Sequence, residues 1–429
     1  MNERVLRGRV LSFRRRPEGV GDLAALDWFE DGAVHVRDGH IVATGDFARV
    51  APPGVPVSDH RPHLITAGFI DAHIHFPQGQ VVASWGAQLL DWLNAYTFPA
   101  ETRFADSGHA RAMAVAFYDL LLRHGTTTAA AFCSVHPASV DAYFAEAEAR
   151  GMRMLGGKVL MDRNAPEALC DMPQTAYDDS AALIARWHGR GRALYAISPR
   201  FAITSTPGQM AAAQALVAAH PDCHVQTHLS ENRDEIALAS ALYPQATGYL
   251  DIYDRHGLLG PKALLGHAIH LTEAERDRIA DSGSHAVHCP TSNLFLGSGL
   301  FDESALAARG ATSGIATDIG AGMSWSMLRT GGAAYAIAQL QGRSLDPLTA
   351  FWWITRGNAE VLGLADRIGT LEPGTEADLV VLDSRATPEL ALRMAAAQDL
   401  KDELFALLIL GDDRSVVETW VAGRPVRPR

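Results

Sequence analysis

Between residues 65 and 318 the chain keeps one rhythm, a short apolar run followed by a longer stretch with helical spacing. The apolar runs are residues 65–75, 126–132, 154–160, 194–201, 224–228, 263–267, 285–288 and 312–318. Helix-like segments such as 109–123, 140–150, 209–219 and 273–282 lie between many of them. Strands that alternate with helices pair in parallel, because the crossover helix carries the chain back to the edge where the previous strand began. Eight such units in roughly 250 residues is the expectation for a (β/α)8 TIM-like barrel. A doubly wound open sheet gives the same alternation, so the count alone leaves closure undecided.

The two ends of the chain follow a different pattern. Residues 33–43 alternate around Asp38-Gly39, which reads as a hairpin. Near the C-terminus a turn at 369–374 precedes an apolar strand at 379–382, and 416–426 gives two short strands around Ala422-Gly423. These segments predict a small β-sandwich domain built from both termini. The expected division is 1–66 and 366–429 for that domain and 67–365 for the barrel, with 384–410 a helical insertion in the C-terminal part.

A chain of 429 residues can bury a full-sized core and needs no covalent staple. Its four cysteines, Cys133, Cys170, Cys223 and Cys289, contain no C-x-x-C pair. That spacing argues against a disulfide framework or a cysteine zinc site and fits a reducing cytoplasm. The formal charge of −12, from 37 basic and 49 acidic residues, argues against nucleic acid as a partner. Residues 1–16 are arginine-rich without an apolar core, unlike a signal peptide. The apolar run 404–410 is far too short to span a bilayer, so no membrane partner is expected.

The chemistry concentrates at strand ends. Gly68-Phe69-Ile70-Asp71-Ala72-His73-Ile74-His75 places two histidines at i and i+2. On a strand they share a face, with Cα atoms roughly 6.5–7 Å apart, so both rings can reach one metal ion. Further on, His228 ends the fifth apolar run with Glu231 three residues later, His267 ends the sixth and Asp318 ends the eighth. A lone histidine at a strand end is more often structural than a ligand. Four polar strand ends at one barrel mouth are poorly explained by chance, because that mouth is where barrel enzymes keep their active sites.

These motifs resemble the amidohydrolase superfamily over nearly the whole chain, and within it the guanine deaminases. The resemblance rests on His73-Ile74-His75-Phe76-Pro77-Gln78, Gly157-Lys158-Val159-Leu160-Met161-Asp162, Ser198-Pro199-Arg200-Phe201, His228-Leu229-Ser230-Glu231, Gly266-His267-Ala268, Pro290-Thr291-Ser292-Asn293-Leu294 and Thr317-Asp318-Ile319-Gly320. The His-x-His and His-x-x-Glu elements mark the deaminase branch, and Pro77-Gln78 with Pro199-Arg200-Phe201 narrows it to guanine. The resemblance implies a homodimer, with one zinc per chain held by His73, His75, His228 and Asp318. Iron would accept the same donors. It also implies that Glu231 moves protons, that His267 binds substrate without holding metal, and that Asp318 aims the attacking water.

Guanine presents O6 and N7 as acceptors and N1–H and an amine as donors. Arg200 offers only donors, Gln78 offers one of each kind, and Phe201 can wall the purine face. Lys158 could carry a bridging carbamate for a two-metal site, but it falls on the third strand and such members carry their lysine on the fourth. His270 is expected to face the following helix; His285 and His288 flank the seventh run and read as structural, with His288 the better placed of the two to support the site. A polynucleotide editor is improbable without a P-C-x-x-C zinc element. The alternatives are deamination of another azine or purine (cytosine, a modified guanine, an adenosine derivative, a triazine) and, more remotely, a catalytically silent scaffold.

Overall fold

The computed structural model describes residues 3–86 and 88–426. Strands β1 (Glu3–Phe13), β2 (Leu26–Arg37), β3 (His40–Asp46) and β4 (Val57–Ala67) form the N-terminal part of one sheet. The barrel strands are β5 (Phe69–His75), β6 (Thr126–Phe132), β7 (Arg153–Gly157), the two-residue β8 (Val159–Leu160), β9 (Leu194–Pro199), β10 (His224–Leu229), β11 (Ala263–His267), β12 (His285–His288) and β13 (Ser313–Ile315). Strands β14 (Leu379–Leu382), β15 (Val416–Val421) and β16 (Arg424–Val426) return to the first sheet.

That sheet runs β16-β15-β14-β4-β1-β2-β3, so the two termini meet where β14 pairs antiparallel with β4. It encloses a core of its own, including Leu6, Val10, Val34, Ile65, Val381 and Trp420. The hairpin at Asp38-Gly39 turns with both residues at positive φ, 48° and 86°, the conformation a tight turn between twisted strands demands. Residues 384–410 insert two helices, Pro388–Met394 and Leu400–Leu410.

The second sheet is a run of parallel strands in chain order, β5 to β13, with helices between them: a (β/α)8 barrel. The helices start and stop on local chemistry. The helix Glu273–Ser282 is opened by a capping box of Thr272 and Glu275 and is followed by Gly283 at φ 69°. Among the described residues no continuous ladder joins β5 to β13, and the barrel is closed there by specific bonds. At the mouth, Asp318 N–H donates to His73 O at 3.0 Å and His75 N–H to Ile319 O at 2.7 Å. Deeper, the buried Asn358 accepts from Ile315 N–H at 2.9 Å and donates to the carbonyls of Ile70 and Ile315 at 2.6 and 2.8 Å.

Asn358→Ala removes the side-chain partner of the Ile315 N–H and of the Ile70 and Ile315 carbonyls. Each such group costs on the order of 1–3 kcal/mol. The expected outcome is a loss of about 2–4 kcal/mol in stability, read as a lower thermal midpoint with the metal content unchanged.

Three of the expected strands are cut differently. The run 65–75 is two strands in two sheets, broken at Gly68, whose N–H donates to Asp378 O at 2.9 Å. A Cβ at Gly68 would lie 2.3 Å from Thr127 Oγ1, so only glycine permits this crossing. The run 154–160 breaks at Lys158, and 312–318 shortens to three residues because the chain turns into the mouth after Ile315. Among the described residues no helix is long and apolar enough to cross a membrane.

Candidate metal centre and substrate cavity

His73 and His75 project from β5, His228 from β10, and Asp318 follows β13; all four are buried. His75 Nε2 lies 3.1 Å from His228 Nε2 and 3.4 Å from Asp318 Oδ1, and His73 Nε2 lies 3.5 Å from the same oxygen. Two ligands about 2.0–2.1 Å from a tetrahedral zinc stand about 3.3–3.4 Å apart. Three of the six separations among the four atoms therefore already sit close to those of a tetrahedral donor set, and His73, His75 and His228 offer ligand atoms within 4.8 Å of one another.

The donor chemistry agrees with the spacing. His73 Nε2 is buried with no hydrogen-bond partner, a costly arrangement for a polar atom unless something else coordinates it. His228 Nδ1–H donates to Arg200 O at 2.6 Å, which leaves the lone pair on Nε2 facing inward. Burial, reinforced by the neighbouring histidines, holds the His228 ring well below its ordinary pKa, and burial pushes His75 down to about 4. Both rings are thus neutral, as metal binding needs. Burial alone would raise the Asp318 carboxyl, but His73 and His75 outweigh it and keep the group ionised.

Backbone strain surrounds the centre. Ser230, His267, Ala268 and Asp318 have φ of 49°, 65°, 47° and 51°, a region non-glycine residues enter at a cost of about 1–3 kcal/mol each. The excursion occurs where each strand ends and aims the next side chains across the mouth. Asp71 braces the same region by accepting from the N–H groups of His73 and Thr317 at 3.3 and 3.1 Å and from the Thr317 hydroxyl. Gly266 is needed beside it, since a Cβ there would lie 2.6 Å from His73 Cε1.

Glu231 and His267 face each other over the centre, with Glu231 Oε2 3.3 Å from His267 Nε2, which is 3.8 Å from Asp318 Oδ2. Ser298 Oγ donates to Glu231 Oε1 at 3.0 Å, and Asn293 Oδ1 lies 2.9 Å from His267 Nδ1. Burial, and then the charge of Asp318, push the Glu231 carboxyl up to about 8 against the pull of Ser298 and Arg200. Such a group can hold and release a proton near neutral pH.

One cavity joins these groups to Gln78, Arg200 and Phe201 under an apolar roof of Leu89, Trp92, Leu93 and Leu296. His73 does not line the cavity but stands against it, its ring centre 5.2 Å from that of His75 and 4.8 Å from that of His228, so the structure brings together the expected ligand, proton-transfer and substrate-binding residues. The sequence did not reveal the roof or the buried Glu101, which pairs with Arg200 and Gln78. Cys289 was also passed over; its sulfur lies within 4.8 Å of ligand atoms of His73, His267 and Asp318. Lys158 is engaged in an ion pair with Asp171. His270 does not simply face the next helix, because its Nε2 binds Ser298 O at 2.8 Å. His288 is not brought to the cavity; it stacks on Phe301 at 4.7 Å between ring centres.

A sequence model described as Amidohydrolase family matches residues 64–426. Guanine deaminase of Escherichia coli (strain K12) is 46% identical over 430 residues, covering 99% of this chain and 98% of that protein. The crystal structure of guanine deaminase from Bradyrhizobium japonicum is similar at a TM-score of 0.97 and 36% identity, covering 100% of each chain. The structure of guanine deaminase from C. acetobutylicum with bound guanine in the active site is similar at a TM-score of 0.88 and 27% identity, covering 99% of this chain and 100% of that one.

Proposed function

The chain belongs to the amidohydrolase family, and from that premise we propose that it hydrolyses guanine to xanthine and ammonia. The observation that carries the reading is the meeting of the His73, His75, His228 and Asp318 donor atoms, with His75, His228 and Asp318 lining one cavity together with Glu231, Arg200 and Gln78. Those four residues would hold a single metal; three imidazoles and one carboxylate suit zinc. When bound, the metal supplies a water acidified to near neutrality.

The side chains do the rest. Asp318 orients the attacking water toward C2 of the base. Glu231 takes the water's proton as the C2–O bond forms and delivers it to ring N3. His267 hydrogen-bonds the oxygen added at C2. Glu231 then assists proton transfer to the exocyclic amine as the C2–N bond breaks, so guanine and water become xanthine and ammonia. Arg200 donates to O6 or N7, Gln78 reads a mixed donor–acceptor edge, and Phe201 walls the ring.

Ammonia release across guanine, cytosine, adenosine and a triazine tests the assignment, with guanine expected to exceed the others in kcat/KM. Arg200→Ala is expected to lower kcat/KM for guanine by about 1.5–3 kcal/mol, the worth of a charge-assisted hydrogen bond, with metal content unchanged and a lower thermal midpoint because the buried Glu101 loses its counter-charge. An unchanged kcat/KM would remove Arg200 from recognition.

The finer expectations of a cytoplasmic homodimer also belong to this reading. The first is supported by four unpaired cysteines, and the second by the family resemblance, to be checked by sedimentation.

A further inference from the structure

We infer that Glu101 is a positioning residue that makes the cavity selective for a purine bearing an oxygen at C6. This inference rests on the guanine reading above. Glu101 does not line the cavity; it is fully buried behind the wall, on the short helix Phe98–Thr102 that follows the roof. Arg200 is 2% exposed, and a guanidinium so enclosed needs a counter-charge. Its Nη1 donates to both Glu101 oxygens, at 2.9 and 2.8 Å. The Phe98 ring, one helical turn before Glu101, lies 5.6 Å from Arg200 Cζ.

The guanidinium is thus fixed by one nitrogen. Among the described residues its side-chain hydrogen bonds are all made by Nη1, and Nε and Nη2 form none, so those donors remain for a ligand. Glu101 Oε1 also accepts from Gln78 Nε2 at 2.8 Å, while Gln78 Oε1 accepts from Gly320 N–H at 3.2 Å. These two bonds settle which end of the amide faces which way. One hidden carboxylate therefore orients both groups that read the base edge. It also neutralises Arg200, so the cavity recognises its ligand by donor placement and not by net charge.

The test compares metal-loaded wild type, Glu101→Gln, Arg200→Ala and the double variant on guanine, with 2-aminopurine as competitor. 2-Aminopurine keeps the ring and the 2-amino group but lacks the C6 oxygen. In Glu101→Gln the KM for guanine should rise about 10- to 150-fold, the cost of a misplaced charge-assisted bond. The inhibition constant of 2-aminopurine should move less than about threefold, and metal content should not change. The double variant, which contains no unpaired arginine and carries the test if Glu101→Gln does not fold, should lose no more than about threefold beyond Arg200→Ala. Equal weakening of guanine and 2-aminopurine, or a double variant that loses the product of the two single effects, overturns the inference. A wild type that is silent with guanine overturns the proposed activity and this inference together.

Discussion

Glu231→Gln is expected to reduce guanine turnover by roughly 10²–10⁴-fold while leaving one metal in place. The four-donor set is complete without this carboxylate, and its contacts are to Ser298 and His267. Glutamine preserves size and the bond from Ser298 but cannot accept the proton, so the loss should fall on kcat, with guanine still protecting the protein against heat. Metal analysis and steady-state kinetics on the same preparation separate the alternatives. A variant that loses its metal makes Glu231 a ligand or ligand support, and one with near-normal turnover passes the proton role to another group, His267 first.

The same variant has a second signature in metal-free protein. Burial raises the Glu231 carboxyl from 4.5 to about 8, so the folded state keeps a proton that the unfolded state releases. Stability then falls as pH rises from 4.5 through about 8, because the native state binds more protons over that window. Glu231→Gln removes this contribution, and its thermal midpoint should depend less on pH than that of wild type across the same range.

His73→Ala or Asp318→Ala should abolish metal binding and activity together. His73 Nε2 has no other partner, and the Asp318 Oδ1 oxygen stands 3.4–3.5 Å from two of the three imidazoles. Removing Asp318 takes away the only carboxylate of the proposed set and leaves three neutral rings facing one point. Metal content by mass spectrometry should drop from one equivalent toward zero, with activity below detection at metal concentrations that saturate wild type. Two equivalents in wild type, with activity following the second, would restore the Lys158 carbamate reading despite the ion pair to Asp171.

Much of the fold was legible because it obeys local rules. The strands ending in His267 and His288 and the helix Glu273–Ser282 fall where apolar runs and capping residues put them. The break at Gly68 was hidden, since an apolar run does not reveal that its two halves serve different sheets. The metal donors were legible because each ends a strand, and barrel geometry gathers strand ends. Glu101 was not. It sits on a five-residue helix after a π-turn at Leu93–Thr97, 99 positions from its arginine, and no periodicity links the two. Such pairings are set by tertiary contact alone.

The most direct test of the central claim is to incubate the purified, metal-loaded protein with guanine and follow the ultraviolet spectrum. The account predicts conversion to the spectrum of xanthine, with one ammonia released per guanine consumed, lost on chelation and restored by zinc. An unchanged guanine spectrum with one equivalent of zinc bound would contradict it.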